Sequence, residues 1–255
     1  MSESVKCELY HDNFQNFKRY DLPKAQLVIA DIPYNCGNDF YASRPEWYIG
    51  RDTQGDESEI AHKAAFNTDF SFNIAEFMHF CTRMLKKEPE KGEKDAPCMI
   101  VFCAFQQIPE VIQQAEKYGF KKYIPLVFCK NYSPQVLKAN LRIVGAVEYA
   151  LVLYRKKLPK FRNIDENEKH HMILNWFEWK RDMNEKVRIH PAQKPIALLK
   201  RLIEIFTDEG DVIIDPCAGS GSTLRAAREM NRNSYGFEVS KEFYEKALSM
   251  MLSQS

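Results

Sequence analysis

Short apolar runs that end on polar clusters constrain this chain more than any other feature. Lys6–Tyr10, Gln26–Ala30, Cys98–Cys103, Tyr123–Cys129, Tyr149–Tyr154, Val212–Asp215 and Ser234–Phe237 all have strand length, and several are apolar at nearly every position. A strand without alternation is covered on both faces, as in a parallel sheet flanked by helices. Stretches of helical periodicity separate these runs: Ile74–Lys86, Glu110–Tyr118 behind Pro109, Pro195–Phe206, Ser222–Met230, and Lys241–Leu252 behind Ser240 as N-cap. The alternation predicts an α/β fold with seven strands in one sheet. A length of 255 residues suits a single domain spanning 1–255.

Composition narrows the classes without choosing one. With 45% hydrophobic and 28% charged residues, the chain reads as an ordinary globular protein. No stretch approaches the ~20 apolar residues of a membrane span, and the N-terminus lacks the apolar core of a signal peptide, so cytoplasmic residence without membrane contact is expected. The seven cysteines are odd in number, form no C-x-x-C pair and mostly sit in apolar runs, which predicts reduced thiols. Only His170 and His171 cluster among six histidines, so no metal site is expected. A net charge of +1 permits nucleic acid as a partner without arguing for it. Arg155, Lys156, Lys157, Lys160 and Arg162, then Lys180, Arg181, Lys186 and Arg188, form a local basic bias that suits a solvated face or a phosphate track.

Two segments, Cys36–Asp69 and Lys156–Ile189, break the alternation. Irregular stretches of that length in a compact domain are usually functional loops.

Two constellations carry chemistry. In Val212–Thr223 an apolar strand runs into the turn Asp215-Pro216-Cys217-Ala218-Gly219-Ser220-Gly221, and then into a helix opening with Ser222-Thr223. Glycines allow backbone angles closed to other residues, and the amides of a helix N-terminus favour an anionic group. A following strand ends on Glu238, about twenty residues on, where an acid commonly accepts hydrogen bonds from ribose hydroxyls. This describes a nucleoside cofactor at the carboxyl edge of a sheet. The spacing is G-x-G without a third glycine, which weakens a nicotinamide reading. In Leu27–Asn35 a second apolar strand delivers Asp31-Ile32-Pro33-Tyr34. An acceptor, a proline-restrained backbone and an aromatic ring suit a planar base bearing an amine. A strand-end Asp beside a buried Tyr would read the same way.

The two clusters together resemble the paired signatures of the amino-methylating DNA methyltransferases, which modify adenine N6 or cytosine N4. Asp31–Tyr34 is similar to their D-P-P-Y motif and Asp215–Thr223 to their D-P-F-x-G-S-G-T-T loop, while His190-Pro191-Ala192-Gln193-Lys194-Pro195 matches the short motif preceding that loop. The base-site motif comes first, so the order resembles the circularly permuted, beta-type arrangement. The resemblance spans Leu9–Tyr34 and Tyr149–Leu252. It departs at Ile32, which replaces a proline, at Cys217, which replaces a phenylalanine, and at His11, where a glycine is usual.

This resemblance implies a Rossmann-like class I fold, mostly parallel with helices on both faces, that takes S-adenosyl-L-methionine. It puts Asp12, Gln193, Lys194, Pro195, the loop from Asp215 to Thr223 and Glu238 with the cofactor. Asp31 and the Ile32 carbonyl would hold the amine of a flipped or single-stranded base, and Tyr34 would stack on it. Phe40 and Tyr41 are candidates to line the pocket. Trp176, Trp179, Lys180 and Arg181 are candidate DNA contacts within insertions 36–69 and 156–189, although the tryptophans could equally pack the segment down. Asp in the first motif position favours adenine, since N4-cytosine members more often have Ser there. An N4-cytosine enzyme, an RNA base methyltransferase and a catalytically silent DNA-binding subunit are the competing readings. Beta-type members often dimerise, and some accompany a restriction nuclease; neither association is legible in the sequence.

Overall fold

The apolar runs become strands because their side chains find helices on both sides. A computed structural model describes residues 4–34, 72–131, 143, 145–164, 169–180, 189 and 193–253. Its strands are β1 (Cys7–Tyr10), β2 (Leu27–Asp31), β3 (Cys98–Cys103), β4 (Lys122–Lys130), β5 (Val147–Tyr154), β6 (Trp176–Trp179), β7 (Val212–Asp215) and β8 (Asn233–Phe237). Its α-helices are α1 (Ile74–Met84), α2 (Ile108–Lys117), α3 (Ile196–Phe206), α4 (Ser222–Glu229) and α5 (Lys241–Lys246), the last continuing into a π-turn over Ala247–Met251.

All the strands form one sheet in the order β1-β8-β7-β2-β3-β5-β4-β6. Among the described residues every pairing is parallel except those of β5, which runs against both β3 and β4. Side-chain alternation along the strands splits the core in two. Val28 and Ala30 of β2, with Met99, Val101 and Cys103 of β3, pack with α1 and α2. Leu27, Ile29, Cys98, Ile100 and Phe102 face α3 and the C-terminal end of α4 on the other side. Asn73 caps α1 by accepting from the amides of Ala75 and Glu76.

The expected fold class holds, with one correction: the sheet has eight strands where seven were expected. The extra strand, β6, lies inside the stretch 156–189 that reads as irregular. Four residues with one fully buried side chain give too short a pattern to recognise, and β6 forms only because β4 offers it an open edge from Val127 to Lys130. Pro125, which cannot donate to a ladder, precedes that pairing.

The basic residues after β5 also have a structural use. Lys160 donates its amide to Ala96, beside the first residues of β3, so this stretch lies at the amino edge of the sheet. There Lys160 pairs with Asp208 and Asp211, Arg162 with Asp208 and Asp95, and Arg155 lies over the Phe120 ring. They hold the domain together at the end away from both sequence motifs.

Trp179 is 3% exposed and belongs to the core layer that contains Phe128 and α3. We expect Trp179→Ala to cost about 3 kcal/mol or more in urea unfolding, as for other buried aromatics. A solvent-facing tryptophan held in reserve for DNA would change stability by only about 0.5 kcal/mol.

Candidate active site

Parallel pairing carries the ends of distant strands to one edge. Tyr10 of β1 is in register with Phe237 of β8, Asp215 of β7 with Gly236 of β8, and Asp31 of β2 with Phe102 of β3. The reversed β5 contributes its first residues to the same edge, and β4 and β6 contribute their last, Lys130 and Trp179. Asp12, Asp31, Lys130, Glu148, Trp179, Asp215 and Glu238 thereby share one rim.

On one half of that rim, the turn after β7 is built as a cradle. Gly219 and Gly221 have φ of 52° and 77°, and Gly221 leads directly into α4. The Gly221 amide donates to the Ala218 carbonyl, and the Ala218 amide to Phe237, tying the turn to β8. The Glu238 carboxylate braces it further, accepting from the Gly219 amide at 2.8 Å and the Ser240 amide at 2.7 Å. Each oxygen has a second lone pair, so the acid can still meet a ribose. Asp215 accepts the Cys217 amide, and the hydroxyls of Ser220 and Ser222 bond to one another.

Charge on this rim is mostly negative. Burial pushes Asp215 up to about 7, and the charges of Asp31 and Glu238 add to the shift. Burial likewise raises Glu238. The Cys217 thiol is pushed well up by burial and by the three carboxylates, which favours its protonated form. A cationic ligand would relieve this repulsion. The residues therefore fit S-adenosyl-L-methionine, whose sulfonium and ammonium are positive, on electrostatic as well as steric grounds.

On the other half lies Asp31–Tyr34. Ile32 is 1% exposed, and its amide donates to the Phe102 carbonyl at 3.2 Å. A proline there could not make that bond. Gln107 accepts the Ala104 amide and donates to the Pro33 carbonyl at 2.9 Å, clamping the loop from below α2. Gln107 thus occupies one of the two lone pairs of the Pro33 carbonyl. Asp31 Oδ1 is buried and has no hydrogen-bond partner among the described residues. Its Oδ2 lies 2.5 Å from the Lys194 ammonium, which also reaches Glu148 at 3.2 Å; Glu148 in turn pairs with Lys130. Burial raises Asp31 and Tyr34, and the tyrosine stays neutral. Burial works against the Glu148 charge, but Lys194 and Lys130 outweigh it and hold its pKa below the usual carboxylate range.

Several expected residues are placed differently. The Lys194 ammonium lies on Asp31, in the base half of the rim, although the motif resemblance puts it with the cofactor. Asp12 accepts from Asn13, Asn16 and Tyr20, and thus organises the 3-10 turn Phe14–Arg19 after β1. Gln193 accepts the Ile189 amide, and Pro195 opens α3. Trp179 is a core residue whose ring lies beside the ammonium groups of Lys130 and Lys194, so its burial removes it from the candidate DNA contacts. Trp176 is half exposed, and Lys180 is exposed and paired with Glu178. Phe40, Tyr41, Arg181 and His190–Ala192 lie outside the described residues, as does the whole segment 36–69. No metal-ligating cluster occurs among the described residues, and no described helix is long and apolar enough to cross a membrane.

Lys130, Glu148 and Gln107 are the residues that sequence reading missed. The available signal was a charge at the boundary of an otherwise apolar strand: Lys130 closes β4 and Glu148 stands second in β5.

The strand order, the glycine cradle and the acceptor tetrapeptide on one rim define a class I S-adenosylmethionine-dependent methyltransferase. Sequence comparison goes further: the profile described as DNA methylase, of N6 and N4 type, matches residues 25–249, and the chain belongs to that family. The type II methyltransferase M.HindIII of Haemophilus influenzae is 42% identical, covering 97% of this chain and 95% of its own length. The DNA adenine methyltransferase YhdJ of Escherichia coli K12 is 27% identical over 96% of this chain and 82% of its own. Among solved structures, PvuII DNA methyltransferase (cytosine-N4-specific) superposes with a TM-score of 0.64 at 14% identity, covering 96% of this chain and 88% of its own. The M1.HpyAVI–SAM complex gives 0.62 at 20% identity, covering 94% and 96%. At such identities the likeness is one of fold.

Because burial pushes Asp215 up to about 7 while the cofactor is cationic, binding should favour its ionised form. Affinity for S-adenosyl-L-methionine is expected to weaken about tenfold from about pH 8 to about pH 6, as the carboxylate gains a proton. Calorimetry across that range checks it, and Asp215→Asn should flatten the dependence.

Proposed function

We propose that this DNA methylase transfers a methyl group to the N6 amine of adenine. The observation that carries the amine reading is Asp31 Oδ1, a buried acceptor with no hydrogen-bond partner among the described residues, at the end of β2. Leaving such an atom without a partner costs about 1–3 kcal/mol, and a ligand N–H would recover it. Two features support adenine: the aspartate in the first motif position, and the resemblance to a relative named as a DNA adenine methyltransferase over nearly the whole chain.

In this reading, a base turned out of its stack enters beside Tyr34, whose neutral ring covers one face. Asp31 Oδ1 and the Ile32 carbonyl accept the two amine protons. That orientation takes the nitrogen lone pair out of conjugation and aims it across the rim towards the glycine cradle. The cofactor supplies an electrophilic methyl group on a sulfonium. The lone pair forms the new N–C bond as the C–S bond breaks, and the extra proton then leaves the nitrogen for water. Positioning of this kind is worth several kcal/mol of barrier, on the order of intramolecular effects elsewhere. The Gly219–Gly221 turn and Glu238 hold the other reactant at the required distance.

Nucleoside mass spectrometry of DNA incubated with the protein and cofactor should detect N6-methyladenine. N4-methylcytosine in its place would assign the alternative base, and neither product would refute the amine reading. Asp31→Ala should keep cofactor affinity within about threefold and reduce methyl transfer by at least about a hundredfold.

A further inference from the structure

Two acceptors and a stacking ring account for holding the amine, but they leave an ammonium group on the acceptor carboxylate. Lys194, just ahead of α3, has a side chain 7% exposed, with Nζ 2.5 Å from Asp31 Oδ2 and 3.2 Å from Glu148 Oε2. The rings of Phe102 and Trp179 flank it at 5.0 and 5.4 Å. Glu148 is itself fixed by a second ion pair, with Lys130 at the end of β4. A chain of alternating charge thus runs Lys130, Glu148, Lys194, Asp31, from β4 across β5 to the catalytic end of β2.

An isolated carboxylate offers a base two equivalent oxygens and can turn between them. Asp31 has Oδ2 occupied and Oδ1 without a partner among the described residues. We infer that Lys194 is a positioning residue for methyl transfer: anchored by Glu148, it holds Asp31 through Oδ2 and leaves Oδ1 as the one carboxylate acceptor for the base amine. The inference rests on the amine-methylating role proposed for Asp31.

The electrostatics give it a distinctive signature. Burial drives Asp31 towards its protonated form, Lys194 opposes this, and the Glu148 charge reinforces it. Of the other groups that face Asp31, the Tyr34 hydroxyl hydrogen-bonds the carboxylate and, with Lys194, favours its charged form; Cys103 at the end of β3 and Asp215 and Cys217 from the cofactor turn complete the set. None of these supplies a positive charge. A protonated Asp31 cannot accept at the oxygen bearing the proton, so activity falls as pH drops through its pKa. Lys194→Met removes the cation and should move that acid limb to higher pH. Glu148→Gln removes a like charge and should move it to lower pH. Merely structural damage would give losses without opposite shifts.

The experiment is single-turnover methyl transfer to DNA against pH for the wild type, Lys194→Met, Lys194→Arg and Glu148→Gln, with cofactor binding by calorimetry alongside. Lys194→Met is expected to lose about tenfold or more at neutral pH for each unit the limb rises, to recover at alkaline pH and to keep its cofactor affinity. Lys194→Arg should restore the limb to near its wild-type position. Limbs that stay put in both Lys194→Met and Glu148→Gln, or move in the same direction, overturn the role of Lys194. If Lys194→Met fails to fold, Glu148→Gln decides: a lowered limb supports the inference and an unmoved limb overturns it. A wild type that methylates no base amine defeats the reading of Asp31 itself, and the inference falls with it; an active wild type with unmoved limbs defeats Lys194 alone.

Discussion

Everything at this site depends on how the protein manages the acidic charge that a parallel sheet gathers at one edge. Alignment of β1, β8, β7 and β2 brings Glu238, Asp215 and Asp31 to a common rim, where burial raises the pKa of each. The three acids are compensated in different ways. Glu238 takes backbone amides from Gly219 and Ser240, which costs the chain nothing in mobile charge. Asp31 takes a lysine. Asp215 takes the Thr223 hydroxyl and the Cys217 amide, yet burial still pushes it up to about 7. Removing one member of a buried pair such as Lys194–Asp31 commonly costs about 3–5 kcal/mol, because the remaining charge stays behind. The pair is thus a structural commitment as well as a chemical one.

The tetrapeptide shows how a departure from a motif can be offset locally. Proline stiffens a loop by fixing φ, at the expense of an amide donor. Ile32 has the donor and spends it on the Phe102 carbonyl, which extends the β2–β3 pairing by one bond. Its side chain is sunk in the layer beneath α1, and Gln107 fixes the next carbonyl. Rigidity comes here from sheet bonding, burial and a neighbouring side chain, where a second proline would have supplied it from within the backbone.

How much of this was legible in the sequence follows from the range of the interactions. The seven apolar runs and five helical stretches were readable because burial on two faces writes a local pattern, and their bounds shift by only a few residues in the structure. The cradle was readable because glycines, a strand and a helix start lie within twelve residues of one another. Strand β6 was hidden because its stability comes from β4, about fifty residues earlier, and Trp176-Phe177-Glu178-Trp179 says little by itself. The Lys130–Glu148–Lys194–Asp31 chain was hidden for the same reason: its members come from four separate elements and meet only through the strand order. Of the basic run at 155–162, which suits a solvated face or a phosphate track, Lys160 and Arg162 are engaged by Asp95, Asp208 and Asp211, a use no local pattern announces.

That last point bears on where DNA can be read. The rim carries the chemistry, yet its described residues expose little positive charge: Lys194 is buried, Lys130 is paired, and Trp179 lies in the core. The acids Asp31, Asp215 and Glu238 give the described rim a negative bias from beneath. Phosphate contacts that position and base contacts that specify are separate tasks, and the described rim residues offer little for the first. Chemistry is written into strand ends and can be transferred from sheet to sheet, whereas recognition has to be added around them.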